Sequence, residues 1–278
     1  MPGGFPLIPS VANASTIGAN TGSTTGTVIA ANAAANTKGS FVQISASTPI
    51  DASAFILIMQ GANNAAHYWA MDVAVGAGGS EVVIANNIAD SSLSASGCSI
   101  TYIPVGIPAG TRVSGRSQAA GINDGVTAAI ILLGGSYGAP SFAGVDALCF
   151  DPTGSDGVTV DPGAVANTKG SYVQLIASTS RDYHALMVNF DSSGSTASSG
   201  FPVWLIDVAY GAGGSEVPFL TNFLLTQQSS GSANLATFPH SLFIPFRIPS
   251  GTRLAGRAQC TITTAIQRTF GIQIYGLF

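Results

Sequence analysis

The strongest constraint on this chain is that it repeats itself. Ala-Asn-Thr-Lys-Gly-Ser-Phe-Val-Gln at 35–43 returns as Ala-Asn-Thr-Lys-Gly-Ser-Tyr-Val-Gln at 166–174. Met-Asp-Val-Ala-Val-Gly-Ala-Gly-Gly-Ser-Glu at 71–81 returns as Ile-Asp-Val-Ala-Tyr-Gly-Ala-Gly-Gly-Ser-Glu at 206–216. Ile-Pro-Val-Gly-Ile-Pro-Ala-Gly-Thr-Arg-Val-Ser-Gly-Arg-Ser-Gln at 103–118 returns at 244–259 with Ile-Pro-Ser-Gly-Thr-Arg-Leu-Ala-Gly-Arg-Ala-Gln at its end. The offset grows from 131 to 135 to 141, so the second copy carries insertions of four and six residues. Insertions between motifs fall where loops are expected. Two tandem domains follow, over 27–135 and 157–278. Residues 1–26 read as an N-terminal arm and 136–156 as a linker. An ordered arm of this composition must lie against something, and a neighbouring subunit is the expected support.

The local pattern is mostly strand. Runs at 41–44, 54–59, 68–75, 82–85, 100–103, 112–119 and 126–133 are short and β-rich, and Gly, Pro, Asn and Ser bound them. Strands spaced by ten to fifteen residues with turn signals indicate antiparallel sandwiches. The expected fold class is all-β, with two tandem jelly-roll-like β-sandwiches of about seven or eight strands each. The helix candidates are 30–35 and 222–227, both short.

Comparing the halves shows which charges one domain of this type keeps. Six pairs match: Lys38 and Lys169, Asp51 and Asp182, Asp72 and Asp207, Glu81 and Glu216, Arg112 and Arg253, Arg116 and Arg257. They account for twelve of the twenty-two charged residues, too many for chance in so charge-poor a chain. Period-two alternation puts Asp72 on one face of its strand with Ala70 and Ala74, opposite Trp69, Met71, Val73 and Val75. Arg112, Ser114, Arg116 and Gln118 share a face of a later strand. A carboxylate and a guanidinium on facing strands would pair bidentately. The leading reading is a structural Asp–Arg network in each sandwich. A duplicated ligand or interface site is the sharper reading, and catalysis the third.

The remaining motifs read as backbone devices. Pro108 and Pro249 preset the turns of Ile-Pro-Ala-Gly-Thr-Arg and Ile-Pro-Ser-Gly-Thr-Arg, and Gly110 and Gly251 fit their ends. Gly-Ala-Gly-Gly-Ser-Glu lacks the Lys and following helix of a phosphate loop and reads as a tight loop capped by Ser80 and Glu81. Its successive N–H groups could alternatively form a small anion nest. Lys38 and Lys169 read as solvated turn lysines, the alternative being a contact made twice.

No catalytic constellation stands out. His67, His184 and His240 do not match between halves, and neither His-x-His nor Cys-x-x-Cys occurs, so no zinc site is expected. No Gly-x-Ser-x-Gly elbow with a following helix appears. Asp72 with Glu81 is the one carboxylate pair open to a glycosidase reading. Asp151, Asp156 and Asp161 miss calcium-loop spacing and fit Asp-Pro and similar turns. Tyr68, Trp69, Trp204 and Tyr210 could form a sugar platform, but the tryptophans alternate with apolar residues and read as core. Phe201, Phe219, Phe223 and Phe243 make the second half more aromatic. No cofactor is expected.

Composition narrows the partners. Charged residues are 8% and hydrophobic residues 46% of the 278. Net charge is −4, near −2 in each half, so phosphate neutralisation is out of reach and nucleic acid is not an expected partner. No basic cluster points to an anionic membrane surface. Three cysteines (Cys98, Cys149, Cys260) are too few and too dispersed for a disulfide framework. The N-terminus has no signal-peptide pattern, so folding in a cytoplasm is expected.

Gly-Ala-Gly-Gly-Ser-Glu followed by Ile-Pro-Ala-Gly-Thr-Arg-Val-Ser-Gly-Arg-Ser-Gln resembles tandem β-sandwich structural proteins of tailed bacteriophages. The resemblance covers 27–135 and 157–278 but neither arm nor linker. It implies a non-enzymatic virion component, such as a capsid decoration, head fibre or tail-associated protein. It further implies a symmetric oligomer alongside other virion proteins; the composition agrees with assembly in a host cytoplasm, and a trimer, with six sandwiches about one axis, is the favoured form. The alternatives are a carbohydrate- or receptor-binding module recognising a host glycan and, further off, a polysaccharide-degrading enzyme.

Overall fold

The computed structural model describes residues 13–20, 26–61, 69–90, 98–121, 124–135, 142–150, 157–191, 202–226 and 240–278. The chain forms two compact units that divide between Val145 and Asp146. The first contains β1 (Asn13–Ile17), β2 (Thr27–Ala30), β3 (Val42–Ser45), β4 (Ala52–Gly61), β5 (Trp69–Val75), β6 (Val82–Asp90), β7 (Cys98–Ile103), β8 (Val113–Ala119) and β9 (Gly125–Gly134). These make two antiparallel sheets, β2-β9-β4-β7 and β3-β8-β5-β6. Counting from β2, the first strand pairs with the eighth, the eighth with the third and the third with the sixth. The other sheet runs second, seventh, fourth, fifth. That is the order of an eight-stranded jelly roll.

The second unit repeats it. After β10 (Val145–Cys149) come β11 (Val158–Val160), β12 (Val173–Ile176), β13 (Ala185–Asp191), β14 (Val203–Tyr210), β15 (Val217–Thr226), β16 (His240–Ile244), β17 (Leu254–Cys260), helix α1 (Ala265–Arg268) and β18 (Phe270–Leu277). Its sheets run β11-β18-β13-β16 and β12-β17-β14-β15. The expected all-β pair of jelly-roll-like sandwiches is the fold observed.

Alternation closes each sandwich. Along β4 the buried positions include Ala54, Phe55, Leu57 and Met59, while Ile56 and Ile58 are only half-buried. Trp69, Met71 and Val73 of β5 and Ile130 and Leu132 of β9 are also fully covered. In the second unit Trp204, Ile206, Val208, Phe190, Phe270, Ile272 and Ile274 belong to one buried cluster. Each fully buried side chain of this size contributes on the order of 1.5–3 kcal/mol through removal of apolar surface from water. The cost of chain ordering opposes that gain.

Three sequence expectations change. The helix candidates are not helices. Ala30 ends β2, and the Asn32 side chain accepts the Ala34 N–H at 3.0 Å, a local bond that competes with helix. A run of six residues is also too short to repay helix nucleation. Asn222 lies within β15, with a φ of +51° that a helix does not allow. Second, the described part of the arm has its support within the chain. β1 adds to the first unit's own β9, from Asn13 opposite Gly134 to Ile17 opposite Ile130. Third, the linker contains a strand, because β10 joins β18. The other long edge of β18 is taken by β13. β10 therefore holds the place on β18 that β1 holds on β9, and arm and linker are the same element of the repeat.

Candidate functional site

Each of the twelve duplicated charged side chains has a partner inside its own unit, at three stations built twice. The first station is a carboxylate in a sheet. Asp72 on β5 lies directly across from Arg116 on β8, and Asp207 on β14 across from Arg257 on β17. The strands are neighbours in one sheet rather than facing strands. Arg116 Nε donates to Asp72 Oδ2 at 2.8 Å, and Arg257 Nε to Asp207 Oδ2 at 2.9 Å. The pairing uses one carboxylate oxygen, not two, because the other is occupied. Asp72 Oδ1 accepts from Lys38 Nζ at 2.9 Å and from the Asn87 N–H at 2.8 Å. Asp207 Oδ1 accepts from Lys169 Nζ at 2.7 Å and the Asn222 N–H at 2.9 Å.

The lysines are therefore not solvated turn residues. Lys38 Nζ also reaches the Ala70 carbonyl at 3.3 Å, and Lys169 Nζ the Leu205 carbonyl at 2.8 Å. Both guanidinium groups lie over the aromatic ring near the end of the first repeated motif, Arg116 over Phe41 at 4.7 Å and Arg257 over Tyr172 at 4.4 Å. Burial alone would raise both carboxyl pKa values. The Lys38 charge, the Asn87 N–H and the Lys38 and Arg116 hydrogen bonds outweigh it at Asp72, which stays below the usual carboxylate range. Lys169, Asn222 and Arg257 do the same at Asp207. Burial pulls the Lys38 ammonium below its ordinary value, offset in part by Asp72.

The second station clamps the glycine loop. Arg112 Nη1 donates to the Gly76 carbonyl at 3.0 Å and to Glu81 Oε1 at 3.1 Å, while Nε donates to Gln43 Oε1 at 3.1 Å. Glu81 Oε2 accepts the Gly79 N–H at 2.8 Å. Arg253 repeats this with Gly211, Glu216 and Gln174, each at 3.1 Å, and Glu216 accepts the Gly214 N–H at 3.0 Å. The one loop N–H that Gly79 offers is thus already taken by the loop's own glutamate. The backbone N–H of Glu81, then Arg112 and Gly79, hold the Glu81 carboxyl low.

The third station locks the proline turn. Asp51 Oδ1 accepts the Ala109 N–H at 2.7 Å, and Asp182 Oδ1 the Ser250 N–H at 2.8 Å. Beneath them the Thr48 hydroxyl donates to the Pro108 carbonyl at 2.6 Å and accepts the Thr111 N–H at 3.0 Å. Thr179 does the same with Pro249 and Thr252. Gly110 and Gly251 sit at φ +77° and +81°, the left-handed turn end expected of them.

Sequence reasoning missed Asn87 and Asn222, whose positive φ (49° and 51°) turns an N–H onto the buried carboxylate, and Thr48 and Thr179. All four stand at the repeat's offsets. A comparison extended from charged to polar residues would have found them.

These stations hold strands and present little chemistry. Both oxygens of Asp72 and of Glu81 are engaged, and both carboxyls are held low, whereas a general acid needs a raised value. Among the described residues no group of three or more His, Cys, Asp or Glu could hold a metal ion. His67, Tyr68, Asp151, Asp156 and Phe201 lie outside the described residues. Asp161 precedes Pro162, accepts the Gly163 N–H at 2.8 Å and pairs with Arg268. Trp69 and Trp204 are buried, and Tyr210 leans on Phe246 at 5.7 Å, so none of these three forms an exposed platform. Cys149 and Cys260 are free and buried, and burial pushes the Cys149 thiol up to about 11. No described helix is long and apolar enough to cross a membrane.

No protein-family model matches the chain, and no curated protein matches it. Among solved structures it is similar to PNGase F, a glycosylasparaginase from Flavobacterium meningosepticum, with 11% identity, 95% of both chains covered and a TM-score of 0.37. A peptide-N(4)-(N-acetyl-β-D-glucosaminyl) asparagine amidase matches at 11% identity over 95% of this chain and 96% of its own, with a TM-score of 0.33. The N-terminal CBM22-1–CBM22-2 tandem domain from Paenibacillus barcinonensis Xyn10C matches at 11% identity over 85% and 82%, with a TM-score of 0.24. Superpositions at this level transfer no residue role.

Proposed function

We propose that this chain is a non-enzymatic structural subunit of a tailed-bacteriophage virion, folded in the host cytoplasm and assembled through its sandwich surfaces and N-terminal arm. The supporting observation is that all twelve duplicated charges are consumed within their own sandwiches. What the repeat preserves is rigidity, the property a particle component needs in each of its tiles. A glycan-binding role draws no support from Trp69, Trp204 and Tyr210, which face the core or a neighbouring ring. The fold alone decides nothing, because jelly rolls serve capsids and lectins alike.

Light scattering on the purified chain and on a chain lacking residues 1–12 tests the proposal. That truncation spares β1. An oligomer, with a trimer favoured, supports it, and a smaller species after truncation makes the arm an assembly element. Well-folded monomers that bind an immobilised glycan would replace it with the carbohydrate-binding reading.

A further inference from the structure

The repeat shows which edge should receive another strand, and what should arrive there. Inside the first unit, Val145 pairs in parallel with Ala85 on the outer edge of β6, the edge turned away from β5. Val145 lies four residues before the end of β10 at Cys149, and Asn13 four before the end of β1 at Ile17. Since β1 and β10 hold the same place in the repeat, Asn13 is the counterpart of Val145. The counterpart of Ala85 is Leu220 on β15, because Ala85 lies opposite Val73 and Leu220 opposite Val208.

Leu220 lies on an edge that takes no strand among the described residues, since β15 ends its sheet. That edge is long and apolar. β15 reads Val-Pro-Phe-Leu-Thr-Asn-Phe-Leu-Leu-Thr, with no charge in ten residues. Its first-unit counterpart carries Ala85 and Ala89, which are 0% and 5% exposed. β15 carries Leu220 and Leu224 there, and Leu224 is 59% exposed. Beyond Pro218 at its start, this edge carries no lysine or other charge to discourage pairing with another chain.

We propose that β15 is the docking edge for a second copy of this chain, with the head of that copy's β1 pairing in parallel at Leu220 as Val145 does at Ala85. This specifies the contact within the assembly reading and rests on it. The contact is β-strand addition, with backbone hydrogen bonds supplying affinity and the apolar side chains supplying fit. It joins the second unit of one copy to the first unit of another. Each chain carries both halves of the contact, so a closed ring (a two-fold dimer making it twice included) or an open filament satisfies it. β1 need not leave its own β9 to make it.

The test is disulfide trapping with Asn13→Cys and Leu220→Cys together, in a Cys98→Ser background, beside the solution mass of Leu224→Lys. The expected result is inter-chain cross-links in the double variant and in a mixture of the two single variants, but in neither single variant alone. Leu224→Lys should lower the mass while keeping the thermal transition, since this side chain is exposed. An oligomeric wild-type chain with no cross-link overturns the β15 contact and leaves assembly through other surfaces standing. A monomeric wild-type chain overturns both. Where the two readouts differ, the cross-link decides.

Discussion

The two sandwiches carry the same charged stations and differ along one strand. Asp72 and Asp207 hold the same partners, lysine, arginine and a left-handed asparagine, at distances that agree within 0.2 Å. β6 and β15 occupy the same place, yet alanines in one correspond to leucines in the other, and Ile84 and Ile88 correspond to Phe219 and Phe223. Phe219 stacks on Phe246 at 4.9 Å and Phe223 on Phe190 at 4.7 Å. The difference separates two requirements. What both copies keep is needed to close a sandwich of this type. What only the second copy has belongs to the surface that it alone presents.

That separation can be broken experimentally. Asp72→Ala and Asp207→Ala should have the largest effect, about 3 kcal/mol each, because each strands an ammonium and a guanidinium beside a nearly dry site. Hydrogen exchange resolved by domain should place each loss in its own unit. A loss appearing in the other unit would falsify the independence of the stations. Gly157→Ala should cost about 2 kcal/mol, since a Cβ there would lie 2.1 Å from the Ile272 carbonyl at a φ of +71°. Gly26→Ala, with its Cβ 2.5 Å from the Ala128 carbonyl and no positive φ, should cost less by denaturant titration.

Arg116→Ala and Arg257→Ala should each remove about 1 kcal/mol, discounted because the two side chains are 35% and 34% exposed. Unchanged melting temperatures would end the structural role assigned to them. Acid should loosen both units together. The folded carboxyls of Asp72 and Asp207 lie below the ordinary 3.8. Their contribution is therefore complete above that value and is lost as pH falls through the lower folded-state values. Domain-resolved exchange at successive pH values reads it, and Asp72→Asn should flatten the first unit's share. The smallest effect is expected from Arg247→Ala, within about 0.5 kcal/mol, because its pair with Asp182 is widely exposed. Arg247 stands where the first unit has Gly106, so the Asp51 turn is already a natural version of that variant.

Much of this was legible because the chain carries its own comparison. All seven strand runs read in the first half lie on β3 through β9, and alternation put Asp72 and Arg116 each on a definite face of its strand. That their strands are neighbours in one sheet was not legible, since alternation gives a face and not a partner. Lys38 was misread because a turn lysine beside Gly and Ser looks solvated. Its reach to Asp72, 34 residues on, exists only after the sheet forms. β1 and β10 escaped because Asn-Ala-Ser-Thr-Ile and Val-Asp-Ala-Leu-Cys share no residue at any matched position. Their likeness lies in which edge they cover, and backbone hydrogen bonds carry little side-chain signature.

The junction between β1 and β2 has a practical consequence. Ile17 faces Ile130 and Thr27 faces Ala128, so β1 and β2 lie on β9 to either side of one residue, Ala129. The Thr27 hydroxyl donates to the Gly18 carbonyl at 3.2 Å and ties the two strand ends together. The ends of the connection between them are fixed by the ladder on either side, and the entropy of closing a loop rises only slowly with its length. A foreign peptide spliced there would be presented at a defined point without altering the register of any strand. The chain thereby offers a display scaffold with a ready-made insertion port.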